Sequence, residues 1–303
     1  MFPVIASIAG FTVSSFGLFL LLAFLAAFFV IWRIIRLYEV DPEKVIDLSL
    51  ITFTGSLIGA RLYYLLTHFS LLNAVEKAVN IYRYPGLSFW GGLAGGVLTL
   101  LIVSRRLKLR FWQAADLVVL ALMIGLFVGN IGCLLGSCSY GNVSNLPFAV
   151  TQAGVIGKRL PVQIIEALFS LIIFYSLWKS VIKFHIDGQI AGLGLILLAV
   201  LKLILEPFRP SQLSIFGFNL AYVYEVSLLI VGIWVLYKKS QKSVAKDLSY
   251  SVSLLSHQNR RKQALSGVRK WWYNLYVNAG LSLSRLKRNL FKLLHVKANP
   301  DQF

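Results

Sequence analysis

Ionisable and amide side chains stand inside stretches of the chain that are otherwise apolar: Arg61, Asn130, Glu166, Lys202, Glu206, Arg209 and Glu225. A charge at the centre of a bilayer costs at least about 2.5 kcal/mol, so each of these residues needs a reason to be there. Arginine meets a phosphate with paired N–H donors, which makes Arg61 and Arg209 candidate anion ligands. Carboxylates held among apolar neighbours are candidate proton acceptors. Gly129, Gly132, Gly136 and Gly141 run from an apolar segment into a loop, where glycine lets the backbone approach a ligand and present bare amides. Arginines and amides together are what an anionic phospholipid headgroup requires. Taken singly, the residues also have structural readings. Arg61 and Arg209 can snorkel to headgroups, Lys202 can do the same or face a cavity, Glu225 can pair with a neighbouring helix, and Asp116 can start one.

The elements that must position these groups are seven apolar runs, near Ser14–Ile35, Val45–Phe69, Leu87–Val103, Phe111–Leu135, Val162–Ile182, Gln189–Leu205 and Asn219–Tyr237. Most approach the roughly 20 residues that a spanning helix needs; the third and sixth are shorter. Turn signals separate them: Asp41-Pro42, Tyr84-Pro85-Gly86, Asn145-Leu146-Pro147, Asp187-Gly188 and Pro207 to Pro210. Hydrophobic residues make up 57% of the 303 and charged residues only 14%. That is too little charge to cover a water-soluble surface, so lipid is the expected solvent. The expected fold class is therefore an all-α integral membrane protein with seven transmembrane helices. Small-x-x-x-small spacings such as Gly55/Gly59, Gly91/Gly95 and Gly188/Gly192 suit close packing of those helices.

Orientation follows from lysine and arginine in the short loops. One side receives Arg33, Arg36, Lys44, Arg105, Arg106, Lys108, Arg110, Lys179 and Lys183; the other receives Lys77, Arg83, Lys158, Arg159 and Arg209. The richer side is read as cytoplasmic, with the N-terminus outside and the C-terminus cytoplasmic. Arg61, Trp90, Asn130, Cys133, Cys138, Glu166, Glu206, Arg209 and Glu225 then all fall toward the outer leaflet. The N-terminus lacks a positive n-region and no small-residue cleavage site follows the first run, so that run is read as a retained span. Residues 1–238 form the expected membrane domain and 239–303 a basic cytoplasmic tail. The net charge is +18, and from Lys238 onward 14 Lys and Arg face only Asp247 and Asp301. Such a tail beside a membrane domain suits anionic lipid better than nucleic acid, and Val268–Val296 suits an interfacial amphipathic helix. The four histidines are scattered, so neither a metal site nor a cofactor is expected.

Several ordered motifs resemble the prolipoprotein diacylglyceryl transferase family, from about Phe2 to Tyr237. They are Phe16-Gly17-Leu18, Gly59-Ala60-Arg61-Leu62-Tyr63, and Gly86-Leu87-Ser88-Phe89-Trp90-Gly91-Gly92-Leu93. Gly129-Asn130-Ile131-Gly132-Cys133 with Gly136 to Gly141, Arg159-Leu160-Pro161-Val162-Gln163-Ile164-Ile165-Glu166-Ala167, and Glu206-Pro207-Phe208-Arg209 follow. The resemblance implies a multi-pass protein of the bacterial cytoplasmic membrane that moves a diacylglyceryl group. The donor is phosphatidylglycerol, and the acceptor is the lipobox cysteine thiol in a prolipoprotein signal peptide. It assigns Arg209, Glu166 and Glu206 to catalysis, and Arg61, Asn130, Gly141, Gln163, Cys133, Cys138 and Trp90 to substrate binding. The chain departs from the family's pattern at Phe16 (usually tyrosine), Trp90 (histidine), Asn130 (arginine) and Leu160 (histidine). Cys133 and Cys138 take positions where asparagine and glutamate also occur.

Attack on the glyceryl C3 carbon needs a thiolate, and the departing glycerol phosphate needs cations. Arg209 and Arg61 serve the phosphate in this reading, and Glu166 or Glu206 the thiol proton. The alternative is a non-catalytic relative that binds anionic phospholipid or lipoprotein segments, motivated by Phe16, Trp90 and Asn130. A transporter would need polar groups through both leaflets, and these stop in the outer half apart from Lys202.

Overall fold

The structure, a computed structural model, describes residues 4–8, 11–35, 41–67, 86–182, 186–210, 214–215 and 218–240. The amphipathic helix expected at Val268–Val296 lies outside the described residues. Seven long helices follow the apolar runs: α1 Ser15–Ile34, α2 Pro42–Thr67, α3 Phe89–Arg106, α4 Phe111–Leu135, α5 Val162–Val181, α6 Gln189–Leu205 and α7 Leu220–Ser240. Ser14 caps α1 by accepting from the Gly17 amide.

Six of the seven are long and apolar enough to cross a membrane; α3 is not among them. Its four glycines and the terminal Arg105-Arg106 pair dilute it. At about 1.5 Å per residue it still reaches nearly the depth of a hydrocarbon core. Three short antiparallel hairpins accompany the helices: β1 Val4–Ile8 with β2 Phe11–Ser14, β3 Val150–Thr151 with β4 Lys158–Arg159, and β5 Ser214–Ile215 with β6 Phe218–Asn219. None was expected from the apolar pattern, which carries no signal for strands this short.

The surface of these helices is as apolar as their core. Leu21, Leu25, Phe29 and Trp32 form an exposed stripe on α1, and Val223, Val226, Ile230 and Trp234 form another on α7. Water would not tolerate such stripes, whereas lipid tails match them. Inside, Leu120 and Met123 of α4, Leu177 of α5 and Leu198 of α6 are fully buried in one cluster.

Glycine decides which helices touch. A Cβ on Gly59 of α2 would fall 2.6 Å from the Gly91 oxygen of α3, and one on Gly95 would fall 2.7 Å from the Gly55 oxygen. The α2 and α3 backbones therefore meet directly. Gly192 of α6 and Gly232 of α7 make a second such crossing. Gly132 and Gly136 of the α4 end pack against Phe19 and Phe16 of α1. These two serve helix packing instead of ligand approach, while Gly129 has open space where a side chain would stand.

Asp116 is fully buried in α4 and does not start its own helix. Its two carboxylate oxygens accept from the backbone N–H groups of Gly188 (2.7 Å) and Ala191 (2.6 Å) at the start of α6. It thus caps a different helix, satisfying amides that have no partner within α6 and meeting the positive end of its dipole. Asp116→Ala removes both acceptors and leaves two buried donors. A loss of about 2–4 kcal/mol is expected, read as a lowered thermal midpoint of the detergent-solubilised protein, with Asp116→Asn intermediate.

Candidate functional site

The late turns of α2 and α6, the first turns of α3, α5 and α7, and the loop leaving α4 meet at one end of the bundle. Glu166 is the centre of the charge there. It lies in the second turn of α5, 1% exposed, with both oxygens engaged. Oε1 pairs with Lys202 Nζ at 2.5 Å, and Oε2 accepts from Arg209 Nη2. Lys202 comes from α6, and Arg209 follows the 3-10 turn Glu206–Phe208 that ends that helix. The Lys202 ammonium also lies 4.2 Å from the centroid of the Phe89 ring, at the start of α3.

Three charges thus share one buried junction, with two cations on one carboxylate. Both cations are held by that one carboxylate in a low-dielectric setting, where charges act strongly on one another. Arg209 Nε is buried and has no hydrogen-bond partner among the described residues. The guanidinium therefore retains a donor for an incoming oxygen.

Two further carboxylates stand close by. Glu206 Oε1 accepts from Asn219 Nδ2 at 2.8 Å. Glu225, in the second turn of α7, is 1% exposed. It lies within electrostatic reach of Glu206, Lys202, Arg209 and Glu166.

The loop after α4 is tied to the same junction. Cys133 and Cys138 form a disulfide, and the Cys138 amide donates to the Cys133 carbonyl at 2.9 Å. Ser137 and Ser139, on either side of Cys138, both take the left-handed conformation that side chains disfavour (φ 60° and 52°). Gln163, fully buried one turn before Glu166, donates to the Cys138 carbonyl at 2.7 Å. The loop then passes Gly141, whose amide donates to the Leu160 oxygen, and Asn142, whose amide donates to the Phe208 oxygen beside Arg209. A Cβ on Gly141 would fall 2.6 Å from that Leu160 oxygen, so glycine permits the contact.

The remaining sequence-predicted residues are placed as follows. Arg61 is buried on α2, donates to the Gly86 oxygen at 3.0 Å and lies over the Tyr64 ring. Asn130 is buried and donates to the Leu126 carbonyl of its own helix. Trp90 packs on the Tyr224 ring, and Tyr224 shares a 2.5 Å hydrogen bond with Tyr63. Glu166, Arg209, Glu206 and Gln163 are therefore assembled around one junction, whereas the described hydrogen bonds of Arg61 and Asn130 run to backbone.

Lys202 and Glu225 belong to the junction; the sequence singled both out as charges within apolar runs but gave neither a role in catalysis or binding. Lys202, Glu206 and Arg209 are spaced four and seven residues apart, one face of a helix. That spacing was the signal that could have grouped Lys202 with its neighbours. Glu225 was grouped with the others only by its place in an apolar run, because its partners come from other helices. Cys133 and Cys138 are bonded to one another, so neither sulfur is free to attack a substrate in this state.

Comparison with known proteins gives a family. Residues 3–238 match the model of the prolipoprotein diacylglyceryl transferase family. A protein of Finegoldia magna named phosphatidylglycerol--prolipoprotein diacylglyceryl transferase is 25% identical over 243 residues, covering 79% of this chain and 96% of the relative. One of the same name from Rickettsia typhi is 25% identical over 79% of this chain and 97% of its own length. Another from Streptococcus pneumoniae serotype 4 is 28% identical over 67% and 81%.

Proposed function

Since the chain belongs to the prolipoprotein diacylglyceryl transferase family, we propose that it moves the diacylglyceryl group of phosphatidylglycerol to the lipobox cysteine thiol of a prolipoprotein. The observation that carries this reading is the buried junction of Glu166, Lys202 and Arg209 at the end of the bundle. In the reaction the sulfur attacks the glyceryl C3 carbon as the C–O bond to phosphate breaks, and the bonding pair leaves with the phosphate oxygen. Arg209 and Lys202 stabilise that developing charge, Arg209 with its remaining Nε donor. Glu166 holds both cations in place and so acts as a positioning residue. Arg61, Asn130, Gly141, Gln163 and Trp90 bind substrate around it, with Gln163 fixing the turn that the disulfide closes. Glu206 is oriented by Asn219 toward the same phosphate region.

The site faces the outer leaflet of the bacterial cytoplasmic membrane, and all seven helices cross it, with the N-terminus outside. Two independent features support this orientation. Lysine and arginine concentrate at the opposite helix ends, and a disulfide persists on the oxidising side of a membrane. Residues 239–303 form a cytoplasmic tail that holds anionic lipid. The non-catalytic alternative has no support among the relatives, which are named as transferases.

The purified protein in phosphatidylglycerol vesicles, given a lipobox peptide, is expected to yield a peptide with a thioether-linked diacylglyceryl group by mass spectrometry. No product with any anionic lipid composition overturns the reading.

A further inference from the structure

Among the three carboxylates at the junction, Glu225 differs in its hydrogen bonding. Both oxygens of Glu166 are held by cations, and Oε1 of Glu206 is held by Asn219. Glu225, like Glu166, is almost closed to solvent, yet its Oε2 has no hydrogen-bond partner among the described residues. A buried, unsatisfied carboxylate oxygen costs several kcal/mol in structural terms alone. The charged groups acting on it come from three elements: Glu166 from α5, Lys202 from α6, and Glu206 with Arg209 from the turn after α6. The neighbouring Tyr224, joined to Tyr63 of α2, closes the side toward α3, where Trp90 lies against it. Two cations and two carboxylates thus oppose one another around a single free oxygen. A general base needs an unoccupied lone pair within hydrogen-bond reach of the proton that it takes, and Oε2 offers one.

We propose that Glu225 is the general base of the reaction, taking the proton from the acceptor cysteine as its sulfur attacks. The inference rests on the transfer reaction proposed above. The S–H bond breaks toward Glu225, and the S–C bond forms at glyceryl C3. The C–O bond to phosphate breaks in the same displacement, with its electron pair on oxygen. The proton held by Glu225 passes to the departing glycerol phosphate, which leaves as the monoanion, and the carboxylate is regenerated. No other reactant is consumed.

Glu225→Gln keeps the shape and removes the acceptor. With phosphatidylglycerol vesicles and a cysteine lipobox peptide, kcat is expected to fall by about 10²–10³-fold, with KM for the lipid within about threefold. The acidic limb of the kcat/KM profile should disappear. A peptide with selenocysteine at the acceptor position brings a nucleophile already ionised at neutral pH. It is expected to restore most of the lost rate in Glu225→Gln while changing the wild type little. Glu225→Asp retains a carboxylate and should keep the acidic limb, displaced, at reduced rate. If Glu225→Gln does not fold, the Glu225→Asp profile decides, and an undisplaced limb overturns the proposal. Glu225→Gln within threefold of wild type on cysteine, or equally impaired on both peptides, also overturns it. A wild type inactive on both peptides overturns the transfer reading itself, and the base assignment with it.

Discussion

Arg209→Ala is expected to lower kcat for diacylglyceryl transfer by at least about 10²–10³-fold, the range seen when one preorganised donor to a developing oxyanion is lost. The argument is geometric. Arg209 has both a carboxylate anchor and an orphaned buried donor: Glu166 holds Nη2, and Nε has no hydrogen-bond partner among the described residues. Lys202 cannot replace it, because its ammonium is committed to Glu166 and to the Phe89 ring. Arg209→Lys keeps the charge but loses the planar fork, and should recover only part of the activity. The measurement is the single-turnover rate with phosphatidylglycerol in excess, alongside lipid affinity. A rate loss without a comparable affinity loss identifies stabilisation of the leaving group; unchanged rates in Arg209→Ala would remove Arg209 from the mechanism.

Glu166→Ala should be the most destabilising single substitution at the site. It leaves Lys202 and Arg209 buried beside each other without the carboxylate that both contact, and breaking a buried pair in this way costs about 3–5 kcal/mol. The reasoning also predicts the repair. Removing the lysine charge as well, in Glu166→Gln with Lys202→Met, leaves a single cation with an amide partner and should recover much of the loss. A double-mutant cycle on thermal midpoints in detergent reads the coupling. Additive losses would show that Glu166 and Lys202 do not depend on one another. The repaired protein should remain weakly active, because the amide no longer fixes the guanidinium.

Hydrophobic run length located the helices closely; α4 and α6 have the bounds read from sequence, because each run ends at a glycine, a proline or a charge. A residue's position along its own helix was also legible, since that is local information. Azimuth was not. Lys202 could be read as snorkelling because nothing along α6 says that Glu166 of α5 faces it. The same limit applies to Asp116, whose partners lie 72 and 75 residues away. The glycines show it from the other side. Gly129, Gly132 and Gly136 look alike in sequence, yet α1 covers the last two and leaves Gly129 open. The disulfide was illegible for a different reason: two nearby cysteines fit a bond, a pair of thiols or unrelated positions, and only the left-handed turn at Ser137 and Ser139 brings them together.

Asp116 carries one more implication, which concerns time. Its carboxylate leaves the ribosome 72 residues before the Gly188 amide that it will hold. At roughly 5–20 residues per second that separation is roughly 4–14 s of synthesis. Throughout that interval α4 has an acidic side chain whose eventual donors, the Gly188 and Ala191 amides, are not yet made. The nascent bundle must therefore keep that end of α4 at the wet boundary of the bilayer until α6 arrives. The arrival of α6 then supplies both donors, so the final seating of this end of α4 waits on a helix made later.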